Sequence, residues 1–87
     1  MIQATVAVYP LQQLGYEAVH HAIAALRQKG IRVEVQGMHT IIAGSNKAVF
    51  EAIRAAYEAA AVSGPTVMTT TISNACPIDG AREEGGE

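Results

Sequence analysis

The chain has 87 residues, 49% of them hydrophobic, with six basic and eight acidic residues and a net charge of −2. A chain of this length forms a single domain. Without a basic stripe or interleaved aromatic residues, the sequence does not predict nucleic-acid binding. No run of roughly 18 apolar residues and no basic leader is present, which predicts neither a membrane span nor a secretion signal. With one cysteine, Cys76, the pattern predicts a cytoplasmic protein in a reducing compartment.

The C-terminal residues differ in composition from the rest of the chain. Four of the eight acidic residues lie in the final stretch "DGAREEGGE". Such a segment has too few apolar side chains to become ordered. We therefore expect a single domain over residues 1–78 and an acidic, disordered tail over residues 79–87.

The first half of the chain predicts a strand and a helix. Apolar residues alternate from Ile2 to Tyr9 and indicate a half-buried strand. From Tyr16 to Lys29, the apolar residues recur at helical spacing, and Gly30 provides a C-terminal stop.

The second half predicts a hairpin, a helix and a final strand. The segments "IRVEVQG" and "HTIIAG" alternate and meet at Gly37 and Met38. Ser45 or Asn46 is expected to cap a second helix that ends at residues 63–65. Its predicted apolar face comprises Val49, Phe50, Ile53, Ala56, Tyr57 and Ala60. The run "TVMTTTIS" predicts the last strand.

This βαββαβ order doubles a split βαβ unit. Right-handed crossovers would place both helices on one face of a four-stranded antiparallel sheet, with the first and third strands in the centre. The fold class is therefore predicted to be α+β, a ferredoxin-like sandwich. The other sheet face carries few charges, so we expect another subunit to cover it, giving a homodimer or homotetramer.

The chain shows no catalytic or metal-binding pattern. His20 and His21 are adjacent in a helix and point about 100° apart, so they cannot bind one metal ion together. Cys76 has no histidine nearby in sequence to activate it as a nucleophile. The helical glutamates are expected to lie on solvated faces, so no pair of carboxylates suggests acid–base catalysis. We therefore expect neither an enzyme nor a protein that needs a cofactor or metal.

Two segments carry a family resemblance. "VAVYPL" at Val6–Leu11 and "VEVQGMHTIIAG" at Val33–Gly44 resemble the "VYPL" and "YEVGPMGTVIEG" segments of the thiamine-binding protein family, the small YkoF-like proteins. The positions that match are Tyr9, Pro10, Glu34, Met38, Thr40 and Gly44. The chain departs from the pattern at Gln36, Gly37, His39 and Ala43, and in "ISNA" at residues 72–75.

The resemblance implies non-catalytic binding of thiamine or its hydroxymethylpyrimidine half. An aminopyrimidine needs a few fixed polar groups in a flat, apolar cleft. The candidate ligand-binding residues are Tyr9, Glu34, Met38, His39, Thr40, Thr69, Thr71 and Ser73. We expect Glu34 and Thr40 to share one face of the hairpin and to bind the ligand together. His39 beside them would make binding depend on pH.

A second interpretation stays open at this stage. The uncovered sheet face could serve as a regulatory or assembly surface that contacts another protein, with no small ligand at all. A pocket in the folded domain would favour the first interpretation over the second.

Overall fold

A computed structural model describes residues 1–13 and 15–75, and Cys76 and the predicted acidic tail lie outside these residues. The elements follow the predicted order. They are β1 (Ile2–Pro10), α1 (Glu17–Leu26), β2 (Arg32–Val35), β3 (Thr40–Gly44), α2 (Asn46–Ala61) and β4 (Thr66–Ser73). The βαββαβ, ferredoxin-like α+β fold is thus confirmed. Neither helix is long and apolar enough to cross a membrane, as far as the described residues extend.

The strands form one antiparallel sheet in the order β2-β3-β1-β4. The central position of the first and third strands is as predicted. Directly opposed residues share a face of the sheet, so the registers define both faces. Ala4, opposite Ile42, lies on the face that the helices cover. Thr5, opposite Thr71, lies on the other face, which we call the open face.

Small side chains dominate the core between the helices and the sheet. Alanines of both helices are fully buried, and Leu26, Ile42 and Val49 are the largest side chains among the most buried residues. The predicted apolar face of α2 is wrong at two positions, because Phe50 and Tyr57 are 55% and 47% exposed. The buried residues of α2 are instead Val49, Ala52, Ala56 and Ala60. Alanines allow α2 to approach its neighbours closely, and this packing turns the aromatic residues outward.

Helix α1 ends earlier than its sequence predicts, at Leu26 rather than Lys29. The Gln28 side-chain amide donates to the Ala25 carbonyl, and Gly30 adopts a φ of +84° that turns the chain toward β2. The connection passes very close to β3. A Cβ atom on Gly44 would lie 2.8 Å from the Gly30 carbonyl oxygen, so a side chain at position 44 would push these segments apart.

Ser45 is the N-cap of α2, as the sequence predicts. Its side-chain oxygen accepts a hydrogen bond from the Ala48 amide at 3.1 Å. Replacing Ser45 by alanine is expected to lower the free energy of unfolding by about 1 kcal/mol, because an amide at the helix start loses its partner. Urea denaturation measures this loss. Ser63→Ala is the control, since that side chain makes no hydrogen bond within the described residues, and an equal loss in both variants would contradict the capping role.

A candidate ligand-binding cleft

The hairpin between β2 and β3 sets the geometry of the site. The Gln36 amide donates to the His39 carbonyl at 2.8 Å, which leaves Gly37 and Met38 as the two loop residues. This turn places Glu34 opposite Ile41 and Val35 opposite Thr40. Consecutive residues of a strand point to opposite faces. Glu34 therefore lies on the open face, whereas Thr40 lies on the face that the helices cover.

A cleft of about 320 Å³ opens between α1 and this hairpin. Valines of β1 and β2 line one side, and apolar side chains of α1 line the other. The apolar side chains that line it are Val6, Val8, Val19, Ile23, Leu26 and Val35. Val19 and Ile23 belong to the apolar stripe of α1, yet both are only half-buried because the cleft lies in front of them.

Thr40 is the buried polar residue of this cleft. It is only 5% exposed, and its hydroxyl makes no hydrogen bond with any described residue. The hydroxyl oxygen itself is not fully buried, so it keeps access to the cleft. The unpaired Thr40 hydroxyl is therefore placed to bind a polar atom of a molecule that enters the cleft.

Exposed side chains surround the mouth of the cleft. Tyr16, at the start of α1, is 72% exposed, and Met38, at the hairpin tip, is 83% exposed. His39 and Gln36 lie beside Met38 and add polar groups to the rim. No carboxylate is among the described residues that line the cleft. The cleft thus offers aromatic and thioether surface at the mouth and one hydroxyl in its depth.

The eight residues predicted for the site divide into two groups. Met38, His39 and Thr40 line the cleft. The other five point away from it, toward the open face, and they are Tyr9, Glu34, Thr69, Thr71 and Ser73. The expectation that Glu34 and Thr40 share one face is wrong, because the two-residue turn aligns Glu34 with Ile41.

The open face is a separate, mostly polar surface. Rows of directly opposed residues run across the four strands on this face. At the β2 edge, the side chains of Arg32 and Glu34 approach each other to 3.9 Å. Gln3 lies in the row between Ala43 and Ser73. The Gln3 Oε1 atom is buried and accepts no hydrogen bond from the described part of the chain.

Several cleft residues could not be identified from the sequence. The predicted site does not include Tyr16, Val19, Ile23 and Gln36, which the structure places at the cleft. For Tyr16, the sequence does contain a usable signal. A large aromatic residue directly before the start of α1 could have been included among the candidate ligand contacts. Among residues 1–13 and 15–75, no group of three His, Cys, Asp or Glu side chains is arranged to hold a metal ion.

Comparisons with known proteins give the same fold. A hypothetical protein from Methanocaldococcus jannascii superposes with a TM-score of 0.76 at 22% identity, over 84% of this chain and 78% of that chain. A domain of unknown function from Bacillus cereus gives 0.72 at 24%, over 83% and 73% of the two chains. A protein from Streptococcus pneumoniae gives 0.81 at 19%, over 95% and 98%. Curated protein sequences give no match.

The structure defines a small ferredoxin-like domain with a cleft between α1 and the β2–β3 hairpin. The sequence pattern of one such family, described as thiamine-binding protein, matches residues 4–79. The chain belongs to the thiamine-binding protein family. The resemblance in "VAVYPL" and "VEVQGMHTIIAG" is thus confirmed.

Proposed function

We propose that this protein binds thiamine or its hydroxymethylpyrimidine moiety, without catalysis, in the cleft between α1 and the β2–β3 hairpin. In the cytoplasm, such a protein would support salvage, transport or sensing of the vitamin. The observation that carries the proposal is a cleft of about 320 Å³ with apolar walls, in which Thr40, 5% exposed, is the buried polar residue. Ligand pockets have volumes of roughly 300–1,000 Å³, so the cleft has the size for one aromatic ring.

The chemistry of the cleft matches that of a substituted pyrimidine. The aliphatic side chains of β1 and α1 supply flat apolar walls, and Thr40 can donate to a ring nitrogen or accept from an amino group. Tyr16 and Met38 can contact the faces of the ring at the mouth. The cationic thiazolium of thiamine would remain near Tyr16, where a cation–π contact is possible.

Isothermal titration calorimetry with thiamine and with hydroxymethylpyrimidine tests the proposal. Binding of either compound with one site per chain supports it. Chemical shift changes confined to Val6, Thr40 and Val19 would place the ligand in the cleft. No heat and no shift change with either compound would refute the proposed function.

The five predicted residues on the open face remain a prediction, and Glu34 is the one to test. If the ligand occupies the cleft, Glu34→Gln is expected to change the binding free energy by less than about 0.5 kcal/mol, because the carboxylate is on the other side of the sheet. If the ligand instead hydrogen-bonds to Glu34, the loss is about 1–3 kcal/mol. Calorimetry on this variant separates the two faces.

The pH dependence of binding that the sequence suggests for His39 stays a prediction. His39 lines the rim of the cleft. Calorimetry with thiamine at several pH values, on the parent and on His39→Gln, tests it. An equally steep profile in the variant would exclude His39 as the cause.

A second copy of the chain on the open face is a further proposal. The low charge of the open face supports it, because Arg32 and Glu34 are the charged residues that the described strands place there. The alternative function, a regulatory or assembly module, would use this same face. Light scattering that gave a monomer mass for the full chain at micromolar concentration would refute the homo-oligomer.

A further inference from the structure

Strand β1 extends beyond the start of its neighbour β3, and its last residues are unpaired on that side. β3 begins at Thr40, opposite Val6 of β1, while β1 continues to Pro10. The residue that would lie opposite Val8 is Met38, which belongs to the turn. Beyond Val6, β1 is therefore paired with β4 alone within the described residues.

The direction of each backbone group of β1 follows from one hydrogen bond. The Leu11 amide donates to the Pro65 carbonyl at 2.9 Å, so these two residues form a hydrogen-bonded pair that continues the β1–β4 ladder. Such pairs alternate along an antiparallel ladder, so Ala7 and Tyr9 direct their N–H and C=O groups at β4. Val8 directs both of its groups to the opposite side, where β3 has ended.

Two further features agree with this assignment. Pro10 directs its nitrogen to the same side as Val8, and a proline is tolerated in a strand where that nitrogen meets no neighbouring strand. The Thr70 hydroxyl donates to the Thr5 carbonyl at 2.7 Å, and the same alternation directs the Thr5 carbonyl at β4. The N–H and C=O groups of Val8 make no hydrogen bond with the described residues.

The cleft reaches this part of the β1 backbone. Ala7 is one of the lining residues although its side chain lies on the open face, opposite Thr69, so Ala7 lines the cleft through its backbone. Val8 lines the cleft as well and is half-buried. Unpaired backbone groups are uncommon inside a sheet, because a group that is removed from water needs a new partner. The N–H and C=O groups of Val8 are thus placed to bind a molecule in the cleft.

We infer that Val8 recognises the aminopyrimidine edge of the ligand through its backbone, with its N–H donating to a ring nitrogen and its C=O accepting from the amino group. This inference rests on the proposed function. A strand residue presents its N–H and C=O side by side, as it does toward a facing strand. An aminopyrimidine presents an acceptor nitrogen next to an amino donor, which is the complementary pattern. The ring then takes the position opposite Val8 that a longer β3 would occupy.

This arrangement determines which rings the site accepts. No carboxylate is among the described residues that line the cleft, so a neutral backbone carbonyl is the acceptor that the amino group meets. A pyrimidine that lacks the amino group leaves the Val8 carbonyl unpaired, and calorimetry is expected to show roughly tenfold weaker binding of that analogue. Thr40, opposite Val6, stays available to a second polar atom of the ligand.

Hydrogen exchange of the parent chain, followed by NMR, tests the inference. At saturating hydroxymethylpyrimidine, the Val8 amide is expected to exchange roughly tenfold or more slowly than in the empty protein. The Asn74 amide, exposed beyond the end of β4, is the control and keeps its rate. Calorimetry on the same sample measures binding independently. If the compound binds and shifts the Thr40 amide signal while the Val8 amide keeps its rate, the inference is overturned and the proposed function stands.

Two variants of Val8 provide the second measurement. Val8→Pro removes the N–H group without removing a β1–β4 backbone hydrogen bond, and Val8→Ala is the matched control, because it loses the same side chain but keeps the N–H group. Val8→Pro is expected to bind hydroxymethylpyrimidine roughly tenfold or more weakly than Val8→Ala, with similar circular dichroism spectra. Equal affinities of the two variants would overturn the inference, and if Val8→Pro does not fold, the exchange rate of the parent decides. If neither thiamine nor hydroxymethylpyrimidine binds the parent, the proposed function fails together with the inference.

Discussion

Thr40→Val is expected to weaken ligand binding by about 1–3 kcal/mol, which is roughly 5- to 150-fold in the dissociation constant. Valine has the shape of threonine and suits a strand, so the walls of the cleft stay in place. What the variant loses is the hydroxyl, the one buried polar side chain at the cleft. A polar ligand atom that enters would then be left without its partner.

The same substitution is expected to leave the stability of the empty protein nearly unchanged. Because the Thr40 hydroxyl makes no hydrogen bond to the described residues, its removal is expected to change the free energy of unfolding by less than about 1 kcal/mol. Weaker binding in a domain of equal or greater stability is typical of a residue that serves a ligand.

Thr71→Val is the matched control, since Thr71 is exposed on the open face. Calorimetry with thiamine and hydroxymethylpyrimidine, together with urea denaturation, measures both properties. If Thr40→Val binds as tightly as the parent while Thr71→Val binds weakly, the ligand lies on the open face rather than in the cleft.

Ala56→Leu is expected to destabilise the domain by about 1–3 kcal/mol, or to prevent folding. Ala56 is fully buried in α2, in a core where alanines of both helices are packed against each other and the sheet. The larger side chain has no space unless α2 moves away from its neighbours. Domains of this size have little stability to lose.

Ala24→Leu serves as the control for this prediction. Ala24 lies in α1 but is exposed, and alanine and leucine have similar helix propensities, so this variant is expected to unfold like the parent. Urea denaturation followed by circular dichroism compares the two. Equal midpoints for Ala56→Leu and the parent would show that the core can accommodate a larger side chain, against the packing described.

The sequence predicts the elements and the fold because their signals are local. Alternation identifies the strands, and β4 spans the residues of "TVMTTTIS" as expected. Ser45 caps α2 through a contact only three residues away. The order of elements then leaves few topologies for a sheet with right-handed crossovers, and the predicted one is observed.

The number of residues in the turn decides which residues of β2 and β3 share a face of the sheet. With Gly37 and Met38 as the loop, the pairing of Val35 with Thr40 follows, and Glu34 falls on the opposite face from Thr40. A shift of one residue would exchange the two faces. The predicted turn at Gly37 and Met38 already implies this register, and the expectation that Glu34 and Thr40 act together was wrong because it did not follow the pairing that the turn sets.

By itself, the sequence determined which segments are strands and helices, how they are ordered, and that the chain resembles thiamine-binding proteins. Only the tertiary structure decided which side chains share a site. The cleft joins Tyr16, from the start of α1, to Met38 and Thr40 of the hairpin. The tertiary structure also decided that Phe50 points outward. By helical spacing alone, either the alanine side of α2 or the side with Phe50 could have faced the core. The close approach of alanines to α1 and the sheet selected one of them, since helices pack where their side chains leave the least empty space.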